Sequence, residues 1–256
     1  MIYSSLQLRE IFHLEFLRWL SRKVKAEHYA LKGGANLRFF FKSIRYSEDM
    51  DLDVQKIKLE TLKEVVMKIL KAPSFQESFI TFGITEILPP DITRAKQTET
   101  TQRFKVHLIT RSGEDLFTKI EFSRRGIKEK VVVQSVSPSI LRAYKVSPLL
   151  IPHYDVQSAI IQKIDAVITR NIIQPRDIFD LYVLMPQYNP DDTEGIQINR
   201  AKLNRAYDNV FEVGFGQFRD MVIPYLPPDD QSIYNSSTLW DDIKLKVGSF
   251  IDELRQ

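Results

Sequence analysis

Apolar residues recur at helical spacing from residue 4 to 24, where Leu8, Ile11, Phe12, Leu14, Phe16, Leu17 and Leu20 stand between charges, which predicts an amphipathic helix. The short apolar run His28-Tyr29-Ala30-Leu31 then reads as a buried strand. Gly33-Gly34 punctuates it, and Ala35 to Phe41 reads as a short helix. A polar turn from Ser43 to Glu48 leads into Asp49-Met50-Asp51-Leu52-Asp53-Val54, where acid alternates with apolar at the period of a strand. Residues 57–71 return to the helical period. Between about 77 and 134 the character becomes aromatic and β-branched, in Phe79–Phe82, Phe104–Thr110, Leu116–Phe122 and Val131–Val133. Turn signals separate these runs and predict an antiparallel meander. Prolines at 138, 148 and 152 mark a transition, after which helices are expected at Val156–Ile173, Pro175–Pro186, 198–213 and 238–254. A loop is expected at Asn189–Asp192 and a Pro-rich break at 224–228. The pattern divides the chain into residues 1–150, mixed in type, and 151–256, helical.

The length of 256 residues allows a sizeable core in one large or two modest domains. No apolar run reaches the ~18 residues of a membrane helix, and the N-terminus lacks the basic start and apolar stretch of a signal peptide. With no cysteine, disulfides and thiol ligands are excluded, and a cytoplasmic location is expected. The four histidines, at 13, 28, 107 and 153, do not pair at metal-ligand spacing, which argues against a zinc hydrolase. A net charge of +3 permits contact with nucleic acid or polyphosphate without demanding it.

Four features carry chemistry. In Leu31-Lys32-Gly33-Gly34-Ala35-Asn36-Leu37, two glycines between strand and helix would let a phosphate approach the backbone and the helix N-terminus. Taken alone, such a pair is an ordinary tight turn. On a strand, Asp49 and Asp51 point to one face, and a divalent cation relieves the repulsion between two such carboxylates. Asp53 and Glu60 complete the acidic spacing of a calcium loop, but Val54 stands where that loop requires glycine, so an EF-hand is rejected. Glu121 is the one acid within Phe117–Phe122 and needs a partner if buried; a metal shared with Asp49 and Asp51 would serve, and so would an outward orientation beside Lys119. Finally, Lys163 and Arg170 lie two turns apart on a helix, ahead of Pro175-Arg176-Asp177-Ile178-Phe179-Asp180-Leu181. They could grip a triphosphate or form a solvated face, and Asp177 also fits as a first-turn acid.

Together these segments resemble the AbiEii/AbiGii family of nucleotidyltransferase toxins, which includes the MenA-like proteins. The matching pieces are Leu31–Leu37, Arg45-Tyr46-Ser47-Glu48-Asp49-Met50-Asp51-Leu52, Ile120-Glu121, and Lys163 through Arg170 to Leu181. Residues 190–256 carry no matching pattern. Two positions depart from the family: Asn36 stands where a Thr or Ser is usual, and Glu121 where many relatives have Asp. The resemblance implies an α+β fold, a polymerase-β-like nucleotidyltransferase core with a mixed sheet followed by an α-helical C-terminal domain. It also implies the toxin half of a toxin–antitoxin or phage-defence pair, with a cognate antitoxin, an NTP substrate and an acceptor such as the 3′ end of tRNA.

On this basis Asp49, Asp51 and Glu121 are expected to bind Mg²⁺ or Mn²⁺. Lys32, Gly33, Gly34, Arg45, Ser47 and Lys163 are expected to bind nucleotide, with Arg45 alternatively bracing the acidic strand. Lys163 would neutralise the leaving pyrophosphate, and Asp177 would orient Lys163 or the acceptor. A basic cluster of Arg124, Arg125, Lys128 and Lys130 is a candidate RNA contact. Nucleotidylation of a protein hydroxyl and a non-catalytic binding module remain alternatives.

Overall fold

A computed structural model describes residues 3–93, 95–189 and 196–255, in two compact units. The first comprises residues 1–40 and 46–154, the second residues 41–45 and 155–256. The first unit opens with α1 (Ser5–Ser21), started by a capping box in which Ser4 and Gln7 satisfy each other's backbone N–H. There follow β1 (Tyr29–Lys32), α2 (Gly33–Phe40), β2 (Asp49–Val54), α3 (Leu59–Leu70), α4 (Pro73–Glu77), β3 (Ile84–Leu88), β4 (Thr101–Thr110), β5 (Asp115–Ser123), β6 (Val131–Ser135), α5 (Pro138–Tyr144) and β7 (Leu150–Tyr154).

The seven strands form one mixed sheet in the order β3-β4-β5-β2-β1-β7-β6. β2 runs parallel to β5 and antiparallel to β1, and β1 runs parallel to β7. The strand alternation sorts the side chains. Leu31, Met50, Leu52, Phe104, Val106, Ile120 and Phe122 join one buried cluster with Phe12, Phe16 and Leu17 of α1 and Leu62, Val66 and Ile69 of α3. Each such side chain contributes roughly 1.5–3 kcal/mol by leaving water. The intervening residues point to the opposite face, and these are the charged ones.

The meander is present as β3-β4-β5, but β6 lies at the far edge, paired with β7. The expected strand at Phe79–Phe82 is not one. Phe79 is fully buried against Phe12 and Phe75, Ile80–Phe82 forms a 3-10 turn, and Gly83 at φ 98° reverses the chain into β3. Side-chain burial there overrides a strand-like composition. α5 and β7 occupy the proline-bearing stretch read as a transition, and β7 carries the first unit to residue 154.

The second unit contains α6 (Val156–Thr169), α7 (Pro175–Leu184), α8 (Arg200–Phe211), α9 (Phe215–Met221), α10 (Pro228–Tyr234) and α11 (Ser237–Glu253). Phe218 stacks on Trp240 at 4.2 Å, and Phe179 packs beside Phe218 in its core. The Pro-rich stretch at 224–228 holds a 3-10 turn at Ile223–Tyr225 and the start of α10. Of the loop expected at Asn189–Asp192, residues 190–192 lie outside the described residues. The structure is α+β, and among the described residues no helix is long and apolar enough to cross a membrane.

Candidate active site

The charged face of the sheet brings three expected residues together. Asp51 stands opposite Glu121 in the parallel β2–β5 register, with Asp49 opposite Lys119 one step earlier. Neighbouring strands are about 4.8 Å apart, so the Asp51 and Glu121 side chains leave the sheet side by side. Burial raises the Asp51 pKa; Lys32 and Lys119 oppose the shift, while Glu121 and Asp49 add to it. Glu121 and Asp49 thus each lie within electrostatic reach of Asp51.

The Gly-Gly turn belongs to the same place. Gly33 adopts φ 68°, and a Cβ on it would sit 2.9 Å from Asp51 Oδ2. Both the backbone angle and the space require glycine there. α2 begins at Gly33, so unpaired N–H groups of a helix N-terminus lie beside Asp51. Ser47 donates from its hydroxyl to the Asp49 carbonyl at 2.8 Å, fixing the entry to β2. Asn36, the residue that departs from the family, donates to the Tyr154 carbonyl at 3.0 Å and meets His153 Nδ1 at 2.9 Å, tying α2 to β7.

Cations that were not expected as partners of these acids hold them. Lys119 Nζ lies 2.8 Å from Asp49 Oδ2, and the Arg103 guanidinium lies 2.7 Å from Glu121 Oε2. Lys32 pairs with Asp53 at 2.6 Å, and the Tyr154 hydroxyl donates to the other Asp53 oxygen at 2.6 Å. Asp53 is therefore the buried structural acid of the strand. Asp49 and Glu121 are paired with Lys119 and Arg103, and among the described residues no group of three or more His, Cys, Asp or Glu is gathered into a ready-made metal site. The donor set nonetheless fits a hard divalent cation: three carboxylates on one face of adjacent strands, with room above Asp51 that only glycine leaves.

The remaining expected residues meet in the second unit. Asp180 accepts from Arg45 Nε at 3.1 Å and Nη2 at 2.8 Å, and lies 2.6 Å from Lys163 Nζ. Lys163 donates to Asp177 Oδ1 at 2.9 Å, and Arg170 Nε lies 2.8 Å from Asp177 Oδ2 as an ion pair. Burial works to lower the Lys163 pKa, but Asp177 and Asp180 outweigh it and raise it. Burial likewise works against the Asp180 carboxylate, and Arg45 and Lys163 outweigh it and lower its pKa. Among these five residues, three cations face two carboxylates. Arg45 is thus committed to Asp180, a setting that neither of its expected roles described. In the basic cluster, Arg124 donates to Gln102 Oε1 and the Ile57 carbonyl, which makes it a brace of the sheet; Arg125, Lys128 and Lys130 are exposed.

A mixed sheet with paired carboxylates on β2, a third on β5 and a glycine turn at the start of α2 is the arrangement expected from the resemblance to nucleotidyltransferases. The chain belongs to the family described as nucleotidyl transferase AbiEii toxin of type IV toxin–antitoxin systems, whose model matches residues 15–235. Its fold is similar to that of MenT4, a nucleotidyltransferase toxin from Mycobacterium tuberculosis, at 17% identity and a TM-score of 0.62, covering 97% of this chain and 84% of that one. It is also similar to JHP933 from Helicobacter pylori, at 18% identity and a TM-score of 0.58, covering 100% of this chain and 94% of that one. No curated protein matches its sequence. The protein is therefore a nucleotidyltransferase of the toxin–antitoxin class, with an NTP substrate and an antitoxin partner.

Proposed function

We propose that the protein transfers a nucleotide from an NTP to an acceptor hydroxyl, the 3′ end of tRNA, in a reaction that depends on a divalent cation. The register that sets Asp51 beside Glu121, with Asp49 two residues away on the same face, carries this reading. Asp49 and Asp51 would hold Mg²⁺ or Mn²⁺, and Glu121 would complete the site nearest the acceptor. A cation bound there would polarise the α-phosphate and make the acceptor hydroxyl more acidic. The Gly33-Gly34 turn and the N-terminus of α2 bind phosphate oxygens through backbone N–H groups. Lys163, kept charged by Asp177 and Asp180, is the triphosphate-binding lysine, and Asp177 orients it.

Incubation of the purified protein with labelled nucleotides, Mg²⁺ and total RNA tests the proposal. Label on tRNA that disappears with EDTA supports it. Label on protein, or none with any nucleotide, overturns the acceptor assignment or the activity respectively. Lys163→Ala should weaken triphosphate binding; unchanged affinity in a folded variant would remove that role.

A further inference from the structure

We infer that the cleft beside Glu121 is the entry groove for a single-stranded RNA end, an assignment that rests on the transfer reaction proposed above. The cleft has a volume of about 440 Å³ and is walled by Pro89 and Pro90, with Lys96, Arg103, Lys105 and His107 among its lining residues. Arg103, Lys105 and His107 alternate along β4 and so share the face that carries Asp51 and Glu121. They span about 13 Å at strand rise, and the row begins at Glu121, to which Arg103 is paired.

Three observations select the occupant. First, among the described lining residues cations outnumber acids: Lys96 and Lys105 add to Arg103, which is paired with Glu121, and His107, which is paired with Asp115, against the single acid Asp91, whose carboxylate accepts from the Thr93 N–H and hydroxyl. Second, it adjoins one exposed aromatic ring. Phe117 is 39% exposed on β5, directly opposite His107, whose ring meets it edge-on at 5.5 Å; Lys105 Nζ lies 5.8 Å from the ring centre. An exposed phenyl ring beside a row of cations suits unpaired bases, which stack while their phosphates are neutralised, whereas a duplex hides its base faces. Third, the groove leads to the carboxylate placed nearest the acceptor. A strand lying along Lys105 and Lys96 would bring its terminal hydroxyl to Glu121.

Binding is measured by fluorescence anisotropy with a labelled single-stranded RNA oligonucleotide, in EDTA and without nucleotide, so that turnover plays no part. Lys96→Ala combined with Lys105→Ala should weaken binding and make the log–log salt slope shallower by about 1.4, two phosphate contacts at ~0.7 each. Phe117→Ala should weaken binding roughly tenfold with the slope unchanged, as loss of one stacked base would, and Phe117→Trp should restore it. Affinity for blunt duplex RNA should change little in each. Single-strand affinity unchanged in both alanine variants overturns the groove. So does an equal loss on duplex RNA, or a loss confined to NTP binding, which would make the groove a triphosphate site. Asp51→Ala should bind the oligonucleotide like the parent. If that variant still transfers nucleotide, the catalytic reading fails while the groove stands on its own binding data.

Discussion

The two units each set carboxylates against lysine and arginine, and they do so differently. In the helical unit Asp177 and Asp180 are 0% exposed, and every oxygen lies within 3 Å of a cationic nitrogen. On the sheet, Asp49 and Glu121 are 35% and 25% exposed, and each is held by one cation that water also reaches. In the helical unit the acids are structural: removing them strands a charge in a poor solvent, so Asp177 and Asp180 hold Lys163 charged and in place. A half-exposed pair is weak, so its acid can exchange a lysine for a metal ion at small cost. The contrast separates acids that hold a protein cation in place from acids available to bind a metal ion.

The largest expected effect is on the sheet. Asp51→Ala should lower nucleotide incorporation by about three orders of magnitude, the scale on which loss of an essential catalytic group falls, while thermal melting without metal stays the same or rises. A fall in melting temperature alongside the loss would make Asp51 structural and erase the contrast. In the helical unit, Asp180→Ala leaves Arg45 and Lys163 facing each other, and unfolding in denaturant should show a loss of about 3–5 kcal/mol. Stability within 1 kcal/mol of the parent would mean the network is not closed.

Acid should separate the units. Burial, and secondarily Arg9, lowers the His13 pKa to about 3. The Thr118 hydroxyl donates to the Glu48 carbonyl, so His13 Nε2–H donates to Thr118 and the ring is neutral. Its stabilising contribution is complete above the unfolded pKa of about 6.5 and is lost progressively as pH falls towards 3. Asp180 also has a lowered pKa, but its contribution is lost only from its ordinary value of 3.8 downwards. Hydrogen exchange should therefore show the sheet unit loosening between about pH 6 and 4, with α6 and α7 still protected. His13→Gln should flatten that slope, and simultaneous loosening of both units would refute the assignment. The smallest effect is at Lys119: replacing it with Met removes the competitor for Asp49 and should tighten Mn²⁺ binding by at most about fivefold. Weaker binding would show that Lys119 orients Asp49 instead of occupying it.

Much of the charged face was legible in the chain, because Asp49–Val54 alternates at strand period and the Gly-Gly turn stands between a strand and a helix. The partners were not. β2 and β5 pair across about seventy residues of sequence, and only the register shows that Lys119 falls opposite Asp49 and Arg103 beside Glu121. Asp177 and Asp180, three apart on α7, can be read as one helix face. That Arg45 completes their network cannot, since 135 residues separate it from Asp180. Phe79–Phe82 misled because aromatic and β-branched residues suit a strand and a core cluster equally well. β7 was hidden by Pro152, which a strand tolerates less readily than a loop.

Residues 41–45 sit in sequence between α2 and β2 yet belong to the helical unit, so the chain passes from one unit to the other three times. No single cut can then yield two intact halves. Expressed from residue 155 onward, the helices would keep Asp180 but lose the guanidinium that neutralises it, and proteolysis after Tyr154 would leave each product missing or carrying a piece of the other.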